Sequence, residues 1–352
     1  MRTTIPTSPG SASAATSASS ADAEAPRRPG GPSLVALGGG SGLAVLLRGL
    51  KHRVGDGLGA LSAVVTMSDD GGSSGRLRRD FGVLPPGDIR ACIVALADDE
   101  DLIARLFQYR FPSGDLAGHS FGNLFLTALT GITGDFYQAV LTAESILAVR
   151  GKIMPATLQD VRLRGRGASG RVYEGESAVG RSGERMVELG LEPSNAAAFP
   201  AAVEALLHAD LIVLGPGSLY TSILPNLLIP GILAAVRASR ARVVLALNLM
   251  TQPGETDGMD ALDHVAALEA HAGPGLLDSV LVNSTPLPSS ALRLYAAAGA
   301  QPVSVDAQAL AVRGVGVLPA ELLAAGELIR HDPAKLAAAF VALAQQVTGE
   351  DA

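Results

Sequence analysis

The chain has 352 residues, 48% of them hydrophobic, enough for one large core or two modest ones. No run of about 18 uninterrupted apolar residues occurs, which excludes a transmembrane helix. A formal net charge of −7, 4% aromatic residues and no Trp argue against a nucleic-acid binder that works by charge or base stacking.

Residues 1–32 are rich in Ser, Ala and Pro and nearly devoid of large apolar residues. They are expected to be a disordered tail, and they lack the apolar segment of a secretory signal. A single nucleotide-binding domain is expected over 33–349.

The first strand, Leu34 to Leu37, runs into Gly38, Gly39, Gly40, Ser41 and Gly42, and a helix is expected from about Leu43 to Lys51. Glycines just before a helix N-terminus let backbone N–H groups approach an anion, so the loop is expected to cradle a phosphate or diphosphate. A tight turn without ligand is the plainer alternative. The spacing matches neither G-x-x-x-x-G-K-[ST] nor a clean G-x-G-x-x-G, because Leu43 holds the third glycine position.

A second strand, Leu61 to Met67, carries Thr66 near its end. The stretch from Ser68 to Arg90 reads as one long polar loop, of the kind that is usually functional. Ser68, Gly71, Gly72, Ser73 and Ser74 are candidates for a second anion nest. Asp69 and Asp70 stand where a dinucleotide fold holds a ribose, and they also suit a Mg²⁺ ion or a base. One or two of Arg76, Arg78, Arg79 and Arg90 are expected to touch ligand. Asp88 is expected to cap a helix running to about Ala97. Cys92, the single cysteine, excludes an intrachain disulfide and a cysteine-rich zinc site, and it suits the core of a cytoplasmic protein.

Three segments with helical spacing follow, beginning at Asp101, Ser120 and Asp135. "GHSFGN" contains G-x-S-x-G, but loop sequence precedes it rather than a strand, so Ser120 reads as a helix cap and not a nucleophile. His119 and Asn123 are left as crevice candidates. Residues from about 152 to 182 read as a small strand-rich insert. Its charges, from Arg162 to Arg185, suit a dimer or partner surface or a solvated face.

Strand "LIVLG" leads into Gly215, Gly217, Ser218, Tyr220 and Thr221, candidates for phosphate or sugar contacts. After strand "RVVLALN", Asn248, Thr251 and Gln252 are candidates for a base edge, with Asn248 alternatively satisfying loop backbone. Strand "DSVLVNS", helix 288–299, strand "QPVSV" and a helix with Asp332 as cap and Pro333 at its first position complete the chain. Such alternation predicts an α/β fold with a doubly wound, mostly parallel sheet, whose ligand loops meet at the strands' carboxyl ends.

Six ordered motifs, "ALGGGSGLAVLLRGLK", "VVTMSDDGGSSGRLR", "GVLPPGDIR", "HSFGNLF", "GPGSLYTSILPN" and "NLMTQPGET", resemble the YvcK gluconeogenesis-factor family, in the superfamily of 2-phospho-L-lactate transferase (CofD). The resemblance implies a Rossmann-like fold in a cytoplasmic protein that binds UDP-sugars such as UDP-N-acetylglucosamine. It implies a need for the protein in gluconeogenic growth and normal cell shape. The matching ligand positions are Gly38 to Gly42, Ser68 to Ser74, Asn123, Gly215 to Thr221, Asn248 and Thr251. Arg330, in "RHDP", is matched to the ligand's charged part or to a salt bridge.

The first functional expectation is a sensor that relays UDP-sugar levels to cell-wall precursor supply through an unidentified protein partner. It needs no cofactor and no catalytic residue. The alternative is a transferase of phosphorus-containing groups using a nucleoside-diphosphate-linked donor, with Mg²⁺ at Asp69 or Asp70. "SDDGGSSG" has the YvcK form, which counts against deazaflavin chemistry. The first glycine loop permits an NAD(P) oxidoreductase only weakly. No nucleic acid and no membrane insertion are expected; homo-oligomerisation is left open.

Overall fold

The computed structural model describes residues 30–98 and 101–349. The expected tail lies outside the described residues up to residue 29. Pro32 is already in place, its carbonyl accepting from the Gly59 N–H at 2.9 Å.

A parallel sheet of seven strands forms the centre. Strand β1 (Ser33–Gly38) pairs with β2 (Ala60–Val65), and β2 pairs with β3 (Lys152–Pro155) at one edge. The chain then leaves the sheet for β4 (Arg162–Gly167), β5 (Val172–Glu174) and β6 (Met186–Glu192), a separate antiparallel sheet in the order β5-β4-β6. It returns as β7 (Leu211–Leu214) on the free side of β1, followed outward by β8 (Arg242–Ala246), β9 (Ser279–Asn283) and β10 (Gly316–Ala320). The order is therefore β10-β9-β8-β7-β1-β2-β3.

Helices cover both faces, so β1 and β7 are buried throughout and, after Ser33, free of polar side chains, as an all-parallel sheet requires. The strand order reverses between β1 and β7. That reversal opens a crevice beyond their carboxyl ends, where doubly wound sheets take ligands. No single helix among the described residues is long and apolar enough to cross a membrane.

Four local expectations change. The polar stretch after β2 is not one loop, since it folds as helix Gly72–Phe81 and ends at Gly82 in the left-handed region. Its Gly- and Ser-rich start has poor helix propensity, and long-range bonds hold it instead: Arg76 donates to the Ala117 carbonyl and Arg78 to that of Val161, each at 2.7 Å. Asp88 is no cap, because helix Gly87–Leu96 begins before it and has no side-chain cap. "QPVSV" makes only an isolated bridge, Pro302 to Met250; the last strand is β10, whose Pro319 is tolerated at the sheet edge. Lys152–Pro155 belongs to the main sheet, while the small sheet spans 162–192. There β4 alternates exposed arginines with buried residues, and Arg166 pairs with Glu188 across the strands.

The final helix, Pro333–Thr348, packs on helix Gly40–Leu50. Asp332 caps it as expected, accepting from the Ala334 and Lys335 N–H groups at 2.9 and 3.0 Å. Asp332→Ala is expected to cost about 1 kcal/mol, read as a lower urea midpoint at unchanged slope.

Candidate functional site

The β1 loop and the β7 loop meet backbone to backbone. A Cβ on Gly42 would lie 2.3 Å from the Pro216 carbonyl oxygen. A Cβ on Gly39 would lie 2.5 Å from Asp88 Oδ2 and 2.6 Å from Thr66 Cγ2. These two glycines are therefore fixed by the chain's own packing. Gly40 has φ +60° and opens helix Gly40–Leu50, whose first turn has no side-chain cap and carries the exposed Ser41. Helix Gly72–Phe81, after β2, begins with no side-chain cap as well. Two helix N-termini thus stand beside the crevice with positive dipole ends that favour an anion, although the Gly40 N–H of the first is already held by Asp88.

The β2 loop is organised from within. Thr66 Oγ1 and Ser68 Oγ lie 3.2 Å apart, both buried. Asp69 Oδ1 accepts from the Gly71 N–H at 2.8 Å, and Asp70 Oδ1 from the Ser177 N–H of the insert at 2.9 Å. Ser73 Oγ meets His119 Nδ1 at 3.0 Å, and Asn123 Nδ2 donates to Ser74 Oγ at 3.3 Å. Burial and the Arg76 guanidinium hold His119 below the usual histidine range. Ser120 is fully buried and caps helix Phe121–Thr133 through the Asn123 N–H, as expected for a cap rather than a nucleophile. The Asn123 side-chain Oδ1 is buried without a partner.

In the β7 loop, Gly215 and Gly217 take φ +77° and +151°. Ser218 caps the turn Leu219–Ile223, accepting from the Thr221 N–H at 3.0 Å. Asn248 holds Gly217 from both sides: Oδ1 accepts from its N–H at 3.2 Å and Nδ2 donates to its carbonyl at 2.7 Å. That amide is spent on loop backbone. Thr251 exchanges two bonds with Gln301, at 2.7 and 2.9 Å. Gln252 Oε1 is buried without a partner. The Tyr220 ring is fully buried, its hydroxyl 4.0 Å from Met259 Sδ, so it belongs to the core. Arg330 is exposed, and its neighbour His331 bonds the Leu247 backbone just beyond β8.

Three acids that sequence reasoning did not place in the site join Asp69 and Asp70. Asp88 lies under the first loop, half-buried, accepting from the Gly40 N–H. Burial and the Asp69 charge raise its pKa to about 7, against the pull of Gly40 and Arg90. Glu176, from the insert, is raised to about 9 by burial and then by Asp88, Asp69, Asp70 and Glu255, and its Oε2 is without a partner. Glu255 accepts from the Tyr220 N–H at 2.9 Å and from the Ser218 hydroxyl; burial raises it. The only sequence signal for Glu255 was its place in "NLMTQPGET"; Asp88 read as a cap, and Glu176 carried no signal.

Among the described residues, no group of three His, Cys, Asp or Glu side chains is placed to hold a metal ion. Asp69 and Asp70 each accept a backbone N–H through Oδ1.

Residues 34–323 match the family described as 2-phospho-L-lactate transferase CofD. A relative from Nostoc sp. is 50% identical over 311 residues, covering 87% of this chain and 67% of its own. The Bacillus subtilis protein named "Gluconeogenesis factor" is 46% identical over 317 residues, 90% of this chain and 99% of its own. The crystal structure of protein BH3568 from Bacillus halodurans superposes with a TM-score of 0.84 at 43% identity, covering 88% of this chain and 99% of that one. The chain belongs to the CofD family, and its relatives place it with the gluconeogenesis factors, the YvcK branch.

Proposed function

We propose that the crevice beyond β1 and β7 binds a nucleoside-diphosphate sugar, UDP-N-acetylglucosamine in the first instance. We read the protein as a cytoplasmic sensor that supports gluconeogenic growth and cell shape. The observation that carries this reading is the pair of helix N-termini at Gly40 and Gly72, neither capped by the side chain of its own N-cap residue, beside the reversal of strand order. A diphosphate suits those donors. The names of the relatives support the gluconeogenic role. The signal would pass to cell-wall precursor supply through a protein partner.

A transferase acting on a nucleoside-diphosphate donor is the second reading, favoured by the family match and by Asp88, a half-buried carboxyl poised near pH 7. Calorimetry with UDP-N-acetylglucosamine, with and without Mg²⁺, separates the two. Saturable binding that persists in EDTA, with the ligand recovered intact, is expected. Ligand breakdown would favour the transferase, and no binding at millimolar ligand would remove both readings.

A further inference from the structure

Helix Gly72–Phe81 and the small sheet enclose a second cavity, of about 560 Å³. Of the loops that form the crevice it touches only Ser68 and Asp70, and none of Gly39, Gly40, Gly42 and Gly217 lines it. Asp70 is packed against the insert on that side. Its Oδ1 accepts from the Ser177 N–H at 2.9 Å, and a Cβ on Gly175 would lie 1.9 Å from its Oδ2.

The cavity is rich in donors that nothing in the chain uses. Arg78 lines it with a side chain only 8% exposed. Its Nη2 donates to the Val161 carbonyl at 2.7 Å and pairs with Asp160, but its Nε is buried without a partner. A buried N–H of that kind costs free energy until an acceptor reaches it. Arg79, Arg162 and Arg164 line the same cavity and are exposed. None of the three makes a hydrogen bond or an ion pair among the described residues. Carboxylates are within register, since Glu192 stands opposite Arg162 and Glu174 opposite Arg164 across the strands. Three free guanidinium forks and a fourth with an unused N–H make a donor set matched to the oxygens of a phosphate.

The rest of the lining narrows the ligand. The volume is that of a small-molecule site and far exceeds one phosphate group. Leu163 is the only apolar side chain among the lining residues, and no aromatic ring is present, so a lipid tail finds no apolar wall and a nucleobase no ring to stack on. Glu174 and Glu192 accept hydrogen bonds and repel a second acidic group, which suits a neutral body bearing hydroxyls. We propose that this cavity is a second ligand site, which takes a sugar phosphate: Arg78, Arg162 and Arg164 hold the phosphate, and Glu174 and Glu192 accept from the sugar hydroxyls. The assignment does not depend on what fills the crevice, and it gives the insert's unpaired charges a ligand rather than a protein surface to serve.

Calorimetry of the full chain with glucose 6-phosphate as the probe tests this, with inorganic phosphate and glucose titrated separately. Saturable binding of the ester below millimolar concentration is expected, with phosphate alone weaker and glucose alone undetected. Arg162→Ala and Arg164→Ala, at exposed positions, are each expected to weaken the ester about 10-fold with an unchanged circular dichroism spectrum. Arg166→Ala, on the same strand but paired with Glu188 and outside the cavity lining, is expected to leave it unchanged. UDP-N-acetylglucosamine is expected to bind all three variants as it binds the wild type. If it binds none of them while the ester still saturates, the crevice reading falls and this one stands. No saturation at millimolar ester, phosphate or glucose binding as tightly as the ester, or an affinity untouched by both cavity substitutions would each overturn the proposal.

Discussion

Gly42→Ala is expected to destabilise the protein by about 3 kcal/mol and to remove binding of the diphosphate ligand. The added Cβ would sit 2.3 Å from the Pro216 carbonyl oxygen and 2.8 Å from Gly217 Cα. Those atoms are backbone, so no rotamer change relieves the clash. The β7 loop cannot simply retreat either, because Asn248 grips Gly217 through two bonds and Ser218 is tied to Glu255. The strain must therefore part the two loops that form the crevice. Urea unfolding reads the stability, and calorimetry reads the binding. Gly190→Ala is the matched control, in a strand where a Cβ meets nothing within 4 Å; it is expected to be neutral or mildly stabilising. A Gly42→Ala protein of wild-type stability would mean that the loops do not meet as described.

The second large effect is on pH dependence. Asp88, with a folded pKa of about 7, and Glu176, at about 9, both lie above ordinary carboxylates. Between the unfolded and folded pKa values the native state therefore binds more protons than the unfolded chain, and stability falls as pH rises. For Asp88 the contribution is fully present below about pH 4. It is lost as pH rises toward and through about 7, for a total on the order of 4 kcal/mol. Glu176 extends the decline toward pH 9.

The same ionisations place negative charge where a diphosphate is proposed to sit, so affinity is also expected to fall above pH 7. Asp88→Asn and Glu176→Gln keep the shapes without the charge. Over the interval from pH 4 to 9, Asp88→Asn is expected to flatten the fall up to about pH 7 and Glu176→Gln the fall up to about pH 9, read by thermal unfolding and by calorimetry. Stability that rises over that interval, or slopes unchanged in both variants, would contradict the buried-acid arrangement.

The sequence disclosed the parts of the fold whose causes are local. Runs such as Leu34–Leu37 and Leu211–Leu214 are apolar on both faces, and only a strand covered on both sides satisfies that pattern. Asp332 and Ser120 announced helix starts because a cap is chosen by neighbours two or three residues away. The helix Gly72–Phe81 was hidden because its support comes from Ala117 and Val161, about 40 and 80 residues along the chain. Strand β10 was hidden because edge pairing, not composition, makes it a strand.

The site divides in the same way. The sequence alone determined that glycine-rich loops follow β1, β2 and β7, and hence that an anion-binding crevice was to be sought at their carboxyl ends. Only the tertiary structure decided what each residue in those loops does. Gly39 and Gly42 are set by close approach, Asn248 by the Gly217 backbone, and Tyr220 by the core. Asp88, Glu176 and Glu255 come from three separate segments. Burial raises all three, and neighbouring carboxylates raise Asp88 and Glu176 further, through distances in space that no spacing along the chain records.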